Sequence, residues 1–455
     1  MSDATPLHLP AGLNYGCIQC GLSCKMFNEV SVEEASRRRI EEIDYRALMH
    51  PDTRETTFLV SSPSAPGKDI LRRHCGTCVF QQNDGLCAIH AAHGFRQKPQ
   101  TCQDFPYRYA ETPAGAFVGL SFACTAVLQN AGPAVAEQRD YLAENRPRAN
   151  AVLDHRGPVR LTHRHEISWE AYELLEEDLR RILHATDEAL EMRLIAQTVY
   201  IDLYEAFLRE MRNDSIDRAN RPLPGDFGST TGRFPADSGL ATDAKALLDT
   251  RKKYVERDGG AELFRIAKKM KGSGALQRAF IGLITAFRQS LDYKGRKPGR
   301  LATTVKIMRH YMTHALRLGR VSLDPLKESF DYEAFARIPF TLESGSPEDH
   351  LLLRFLDHTI FRKDLLGVES VWLGQRLLLM HVALIRWHAV GKAALLGRTR
   401  VDIECLREAI RIIELHYLTH TKIVTLFDKI PSLGMILDAI VRKPAFAPSM
   451  VEKKV

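Results

Sequence analysis

The chain lacks any apolar run long enough to cross a membrane. Its apolar stretches are short, as in Phe280 to Phe287, and the segment from Val371 to Leu396 is broken by Arg376, His381, Arg386 and Lys392. Met1-Ser-Asp-Ala-Thr-Pro-Leu-His8 has no basic stretch, no apolar core and no small-residue cleavage site, so it does not read as a signal peptide. No G-x-S-x-G elbow or P-loop is present, which argues against the common hydrolases and nucleotidases. Lys271-Gly-Ser-Gly274 falls between two expected helices with no strand ahead of it, so it reads as a turn rather than a nucleotide cradle. A composition of 45% hydrophobic and 26% charged residues over 455 positions excludes a disordered tail and allows a large core.

What is there is cysteine, unevenly spread. Eight of the nine lie between Cys17 and Cys124, and Cys405 stands alone. Without a secretory leader the chain is expected to be cytoplasmic, where thiols stay reduced, so the crowding reads as metal ligation or redox chemistry rather than a disulfide framework. The first block, Cys17-Ile-Gln-Cys20-Gly-Leu-Ser-Cys24, has a C-x2-C-x3-C spacing that lets consecutive thiolates turn back on one ion or cluster, with Gly16 and Gly21 permitting the tight backbone. The second comprises Cys75-Gly-Thr-Cys78, Cys87-Ala-Ile-His90 and Lys98-Pro-Gln-Thr-Cys102, with Cys124 following. The expected metal ligands are Cys17, Cys20, Cys24, Cys75, Cys78, Cys87, Cys102 and Cys124. His74 and His90 read as supports of those ligands, and Cys405 as a core residue. Eight thiols fill two four-thiolate sites, or one with the remainder structural. An iron–sulfur cluster of the [4Fe–4S] type is preferred to zinc. The radical S-adenosylmethionine class is not supported, because its C-x3-C-x2-C run is the reverse of the order found here.

The expected fold is mainly α: a small, loop-rich cysteine-cluster metal domain over residues 1–130, then a multi-helix domain over 131–455. Ser31-Val-Glu-Glu34 reads as a capping box ahead of a helix over Ala35 to Ile43, and Thr56 to Val60 and Ala116 to Phe122 as strands. Apolar residues recurring at three and four predict helices near 168–184, 188–212, 242–257, 275–291, 300–318, 348–361, 369–391, 401–418 and 420–429. The segment Asn220 to Leu240, rich in Pro, Gly, Ser and Thr, reads as a linker.

The blocks around Cys17 to Cys24, Cys87-Ala-Ile-His90 and Lys98-Pro-Gln-Thr-Cys102-Gln-Asp-Phe-Pro106 resemble the bacterial zinc- or iron-chelating proteins named for their CxxCxxCC motif. Over more of the chain they resemble the longer relatives of that group, the flagellin lysine N-methylases. There the likeness extends to Leu120-Ser-Phe-Ala-Cys124 and, more weakly, to the segments 352–362 and 409–421. The chain departs from the pattern at Ser23, where the motif has its third cysteine, and at Tyr107-Arg108, where the methylase-like members have Arg directly after Phe-Pro. The resemblance implies an iron–sulfur or zinc centre, and by extension methyl transfer from S-adenosylmethionine to lysine ε-amines of a flagellin-like protein. Asp104, Tyr107 and Tyr109, beside the last cysteine of the motif, are the nearest residues for orienting a neutral amine, although a structural turn is the favoured reading of all three.

Charge is as uneven as cysteine. Between Leu263 and Leu323 fourteen basic residues face the single acid Asp292, a net +13 within a chain whose total is +7. Half the weight goes to a solvated helix face and half to an anionic partner, an acidic protein surface, nucleic acid or a phosphate-bearing ligand; aromatics are too thin there to argue stacking on nucleic acid. The alternative to an enzyme is therefore a non-catalytic, metal-organised or redox-sensing module that docks a protein through this face. His416 and His420, four apart, lack the glutamate of a metalloprotease helix and read as a packed or surface pair. His381 and His388 read as core or cleft lining.

Overall fold

The computed structural model describes residues 6–27, 29–63, 65–149, 152–219, 236–291, 300–317, 319–323, 328–418 and 439–451. It divides into two compact units, Met1–Arg156 and Gly157–Val455. The first reaches past residue 130, the boundary expected from sequence, because the strand Val152–Asp154 pairs in parallel with Tyr107–Thr112. It completes a four-stranded sheet in which Leu7–His8, Gly115–Leu120, Tyr107–Thr112 and Val152–Asp154 lie side by side.

The strand of Gly115–Leu120 is buried along its whole length, and Phe122, Ala123 and Leu128 continue the same core. A second small core holds the cysteine region. Ile40, Phe58, Leu71, Val79, Phe80 and Ile89 pack together, and Cys78, Cys87 and Cys102 lie against them. The helix expected over Ala35 to Ile43 forms at Glu34–Glu41, without the expected capping box. Ser31 instead pairs with Ile70 as an isolated bridge, and its hydroxyl meets that of Thr101 at 3.0 Å, so it has no freedom to cap.

The second unit is mainly α. Helices Trp169–Leu183, Gly274–Leu291, Arg300–Leu316, Pro347–Phe361, Val371–Leu395 and Ile403–Ile413 lie close to their expected spans, whereas Leu190–Ala219 runs well past its expected end at 212 and Ala236–Arg251 begins and ends ahead of the expected 242–257. Val371–Leu395 is buried on nearly all sides, which is why no polar stripe marks it. Among the described residues the periodicity missed the hairpins Val159–Thr162/His165–Ile167 and Arg320–Leu323/Glu328–Asp331 and the short helices Ala261–Lys269, Tyr332–Ala336 and Phe446–Val451. Ala261–Lys269 is separated from its predecessor by a break at Asp258 and Gly259, both at positive φ. The expected helix at 420–429, His420 and most of the expected linker at Asn220 to Leu240 lie outside the described residues. Among the described residues no helix is long and apolar enough to cross a membrane.

Candidate metal centre

Four thiols converge in the N-terminal unit from four separate segments. Cys24 lies in the short helix Leu22–Met26, Cys78 ends the hairpin Arg73–His74/Thr77–Cys78, Cys87 precedes the helix Ala88–His93, and Cys102 lies in the helix Gln100–Asp104. Their negative charges oppose one another in all six pairings. Burial pushes the Cys24 thiol up, and repulsion from Cys87 adds to it. The same burial holds Cys78 far above the ordinary thiol range and Cys102 at about 12, with Cys102, Cys24 and Cys87 adding to it at Cys78. Lys98 and Arg73 are the cations that favour the thiolate form, Lys98 at Cys24 and Cys102 and Arg73 at Cys24. Held up by burial, Cys24, Cys78 and Cys102 stay protonated near neutral pH, so metal binding here must displace thiol protons.

Two residues hold the first block against the second. The Arg73 guanidinium donates to the carbonyls of Cys24 at 3.1 Å and Lys25 at 2.9 Å, and also to those of Phe27 and Gly76. Gln81 donates through Nε2 to the Gly21 carbonyl at 2.7 Å and to that of Gly85 at 3.1 Å. The approach at Gly21 tolerates no side chain. A Cβ there would stand 2.2 Å from the Gly85 carbonyl oxygen, and its φ of +64° lies in the left-handed region.

A second thiol group forms around Cys124. Burial pushes this thiol up to about 11, Cys20 and Cys17 repel its charge, and the backbone N–H groups of Val127 and Ala126 oppose the rise. Gly132 brings the two segments together: Gly16 N–H donates to the Ala131 carbonyl at 2.8 Å, and a Cβ on Gly132 would lie 2.3 Å from that same nitrogen. Tyr15 and Tyr107 pack edge to face beside Cys124, ring centres 5.3 Å apart, and burial raises both hydroxyls. The first block therefore splits. Cys24 joins Cys78, Cys87 and Cys102, Cys17 faces Cys124, and Cys20 lies between, its charge acting on both Cys124 and Cys24.

Cys75 joins neither group. It sits exposed at the hairpin turn with φ of +46°, and its Sγ lies 3.4 Å from His74 Nε2. Cys405 is fully buried in the helix Ile403–Ile413. The residues beside the motif's last cysteine serve the scaffold. Asp104 accepts from Gln100 at 2.7 Å and Asn145 at 3.1 Å, Tyr109 donates to the Leu142 carbonyl at 3.1 Å, and Tyr107 donates to Gln138 at 2.5 Å. Arg73 and Gln81 were not singled out from sequence. Their one local signal is a polar side chain within two or three residues of a ligand cysteine, which many surface residues share.

In the C-terminal unit the expected basic face is partly neutralised. Arg265 pairs with Glu262 at 2.5 Å and Lys268 with Glu188 at 2.5 Å, while Lys294, Arg296 and Lys297 lie outside the described residues. The helix Arg300–Leu316 exposes Val305, Met308, Met312 and Leu316. A cavity of about 260 Å3 lies elsewhere in this unit, with Arg164, Arg209 and Arg442 around Trp372. No known family, curated protein or solved structure matches the chain.

Proposed function

We propose that this chain is an iron–sulfur protein whose cluster is held by Cys24, Cys78, Cys87 and Cys102. One observation carries the reading: four thiols from four separate segments lie close enough that the charge of each acts on the others. Spacing favours a cluster over zinc. Four sulfurs on one zinc stand about 3.8 Å apart for 2.3 Å bonds. Among the described residues the only His, Cys, Asp or Glu trio with ligand atoms all within 4.8 Å is His50, Asp52 and His74, so no three of these thiols are that close. A cluster spreads its thiolates over several irons and accepts the wider set. When bound it supplies a delocalised positive core and electron-transfer chemistry. The chain's own part is to present four thiolates, with Arg73 and Lys98 beside them and the small core of Phe58, Phe80 and Ile89 keeping water away.

The nine cysteines are free thiols, which suits a reducing compartment such as the cytoplasm. The likeness to the flagellin lysine N-methylases suggests the activity, methyl transfer from S-adenosylmethionine to lysines of a protein partner. Anaerobically purified protein is expected to be brown, with about four irons per chain. Cys87→Ser should abolish the colour while Cys405→Ser keeps it; colourless protein without iron overturns the cluster. Methylated lysines that appear in flagellin only when the donor is supplied would support the activity. Their absence from iron-loaded protein would leave the redox-sensing or docking module.

A further inference from the structure

We propose that His50, Asp52, His74 and Cys75 form a second metal site, for a zinc-class divalent cation, separate from the four-thiol centre. His50 precedes the single turn Pro51–Thr53, and His74 ends its hairpin strand. The His50 backbone N–H donates to the Val79 carbonyl at 2.8 Å, which ties the turn to the hairpin. The two imidazole rings stack with centres 4.3 Å apart, and the Asp52 carboxylate faces both. Oδ2 of Asp52 is 3.6 Å from His50 Nδ1 and 3.4 Å from His74 Nε2.

Those separations decide the reading. They are longer than the 2.7–3.2 Å of an N–H···O hydrogen bond. They match the edge of a tetrahedron, because two donors about 2.1 Å from one zinc stand about 3.4 Å apart. Cys75 Sγ is 3.4 Å from His74 Nε2 but lies outside the 4.8 Å set formed by the other three, so its side chain must rotate inward to complete the site. His50 Nδ1 accepts the Asp52 N–H at 3.3 Å, so the neutral ring carries its proton on Nε2, and the single Nδ1 lone pair must leave that long hydrogen bond to take the ion. Cys75 holds a left-handed φ of +46° that a residue with a side chain rarely adopts, although Gly76 stands next to it in the same turn. The hairpin is braced by Thr77 Oγ1, which donates to the His74 carbonyl at 2.9 Å. The set of two imidazoles, one carboxylate and one thiol is borderline-soft and suits zinc. Binding deprotonates the Cys75 thiol and releases that proton to solvent.

The test uses the full chain and zinc or cobalt alone. In metal-free protein carrying Cys87→Ser, which cripples the four-thiol centre, one equivalent of cobalt should bind with sulfur-to-cobalt charge-transfer absorption. His74→Ala in that background should weaken binding more than about 100-fold, beyond what loss of a mere supporting residue costs. Cys75→Ser should remove the charge-transfer band. Where Cys87→Ser does not fold, metal analysis of the intact protein replaces it: His74→Ala should lose one zinc and keep its iron. Unchanged zinc content and affinity in both His50→Ala and His74→Ala would overturn the proposal, and loss of iron along with zinc would overturn the separateness of the two sites. Absence of iron from every variant would sink the cluster alone and leave this site standing.

Discussion

The two units handle buried charge in opposite ways. In the C-terminal unit several buried charges meet their opposites within the chain. Lys363 Nζ lies 2.6 Å from Glu176, Arg362 spans Glu414 at 2.8 Å and Asp364 at 2.6 Å, and Arg251 meets Asp178 at 2.7 Å. In the N-terminal unit the ionisable groups gathered against the core are thiols, and what each meets is another thiol. A matched pair offsets its own desolvation through Coulomb attraction and hydrogen bonds. Like groups gathered together have no such remedy and stay neutral as thiols until a cation displaces their protons. On the function proposed above, the cysteine unit therefore depends for its order on what it binds, while the helices with paired charges do not.

Stripping the metal gives the largest expected contrast. Structural metal–thiolate binding contributes on the order of 10 kcal/mol to folding. The region 17–104 should then lose hydrogen-exchange protection while the helices of 169–413 keep theirs, and equal loss in both units would break the contrast. Next is Glu414→Gln, which removes one partner of an Arg362 that is 2% exposed. Losing one member of a buried pair costs about 3–5 kcal/mol, and Asp364 still neutralises the arginine, so about 3 kcal/mol is expected in urea unfolding, with iron content unchanged.

Acid should separate the units as well. Burial holds His381 and His314 of the C-terminal unit neutral, with pKa values of about 3. These lie below the unfolded value of about 6.5, so their contribution is complete above that pH and is lost as pH falls toward 3. In metal-free protein, Cys102 at about 12 and Cys124 at about 11 lie above the unfolded value of about 8.5. Their contribution is complete below pH 8.5 and is lost as pH rises through 11 to 12. Burial also holds Tyr172 and Tyr200 of the C-terminal unit above the ordinary tyrosine range. Unit-resolved melting should therefore show acid weakening the C-terminal unit, alkali weakening both, and metal loading removing only the thiol share of the alkaline limb in the N-terminal unit.

Gly21→Ala should cost about 1–2 kcal/mol for the left-handed backbone alone. The contact with the Gly85 carbonyl adds to that, and iron per chain should fall because Cys24 is pushed from the other three thiols. The smallest effect is expected for Cys405→Ala, about 1 kcal/mol in thermal unfolding with no change in metal. Metal loss there would mean that the two units are not independent.

The long helices were legible because an amphipathic face repeats in the sequence itself, as in Trp169–Leu183 and Ile403–Ile413. The helix Ala261–Lys269 was missed because it is short and follows a break at Asp258 and Gly259, which periodicity does not foresee. The capping box failed because Ser31 satisfies the strand edge at Ile70 and Thr101 instead of the helix end. Tertiary contacts outbid a local preference of about 1 kcal/mol. His74 was read as a support, and His50 and Asp52 drew no notice. Residues 24 positions apart show no spacing pattern, and only the tie from His50 to Val79 sets the turn beside the hairpin.

By itself the sequence determined the chemistry available: eight cysteines crowded between Cys17 and Cys124, and a long helical remainder with a local excess of positive charge. Composition and short-range periodicity are properties of the chain, so they can be read from it. Which thiols stand together was decided by tertiary structure. Cys17-x2-Cys20-x3-Cys24 looks like one ligand run, yet Gly21 against Gly85 draws Cys24 toward Cys78 and Cys87, while Gly16 against Gly132 draws Cys17 toward Cys124. Both approaches join residues more than 60 positions apart, and they exist only where two backbones pass with no Cβ between them.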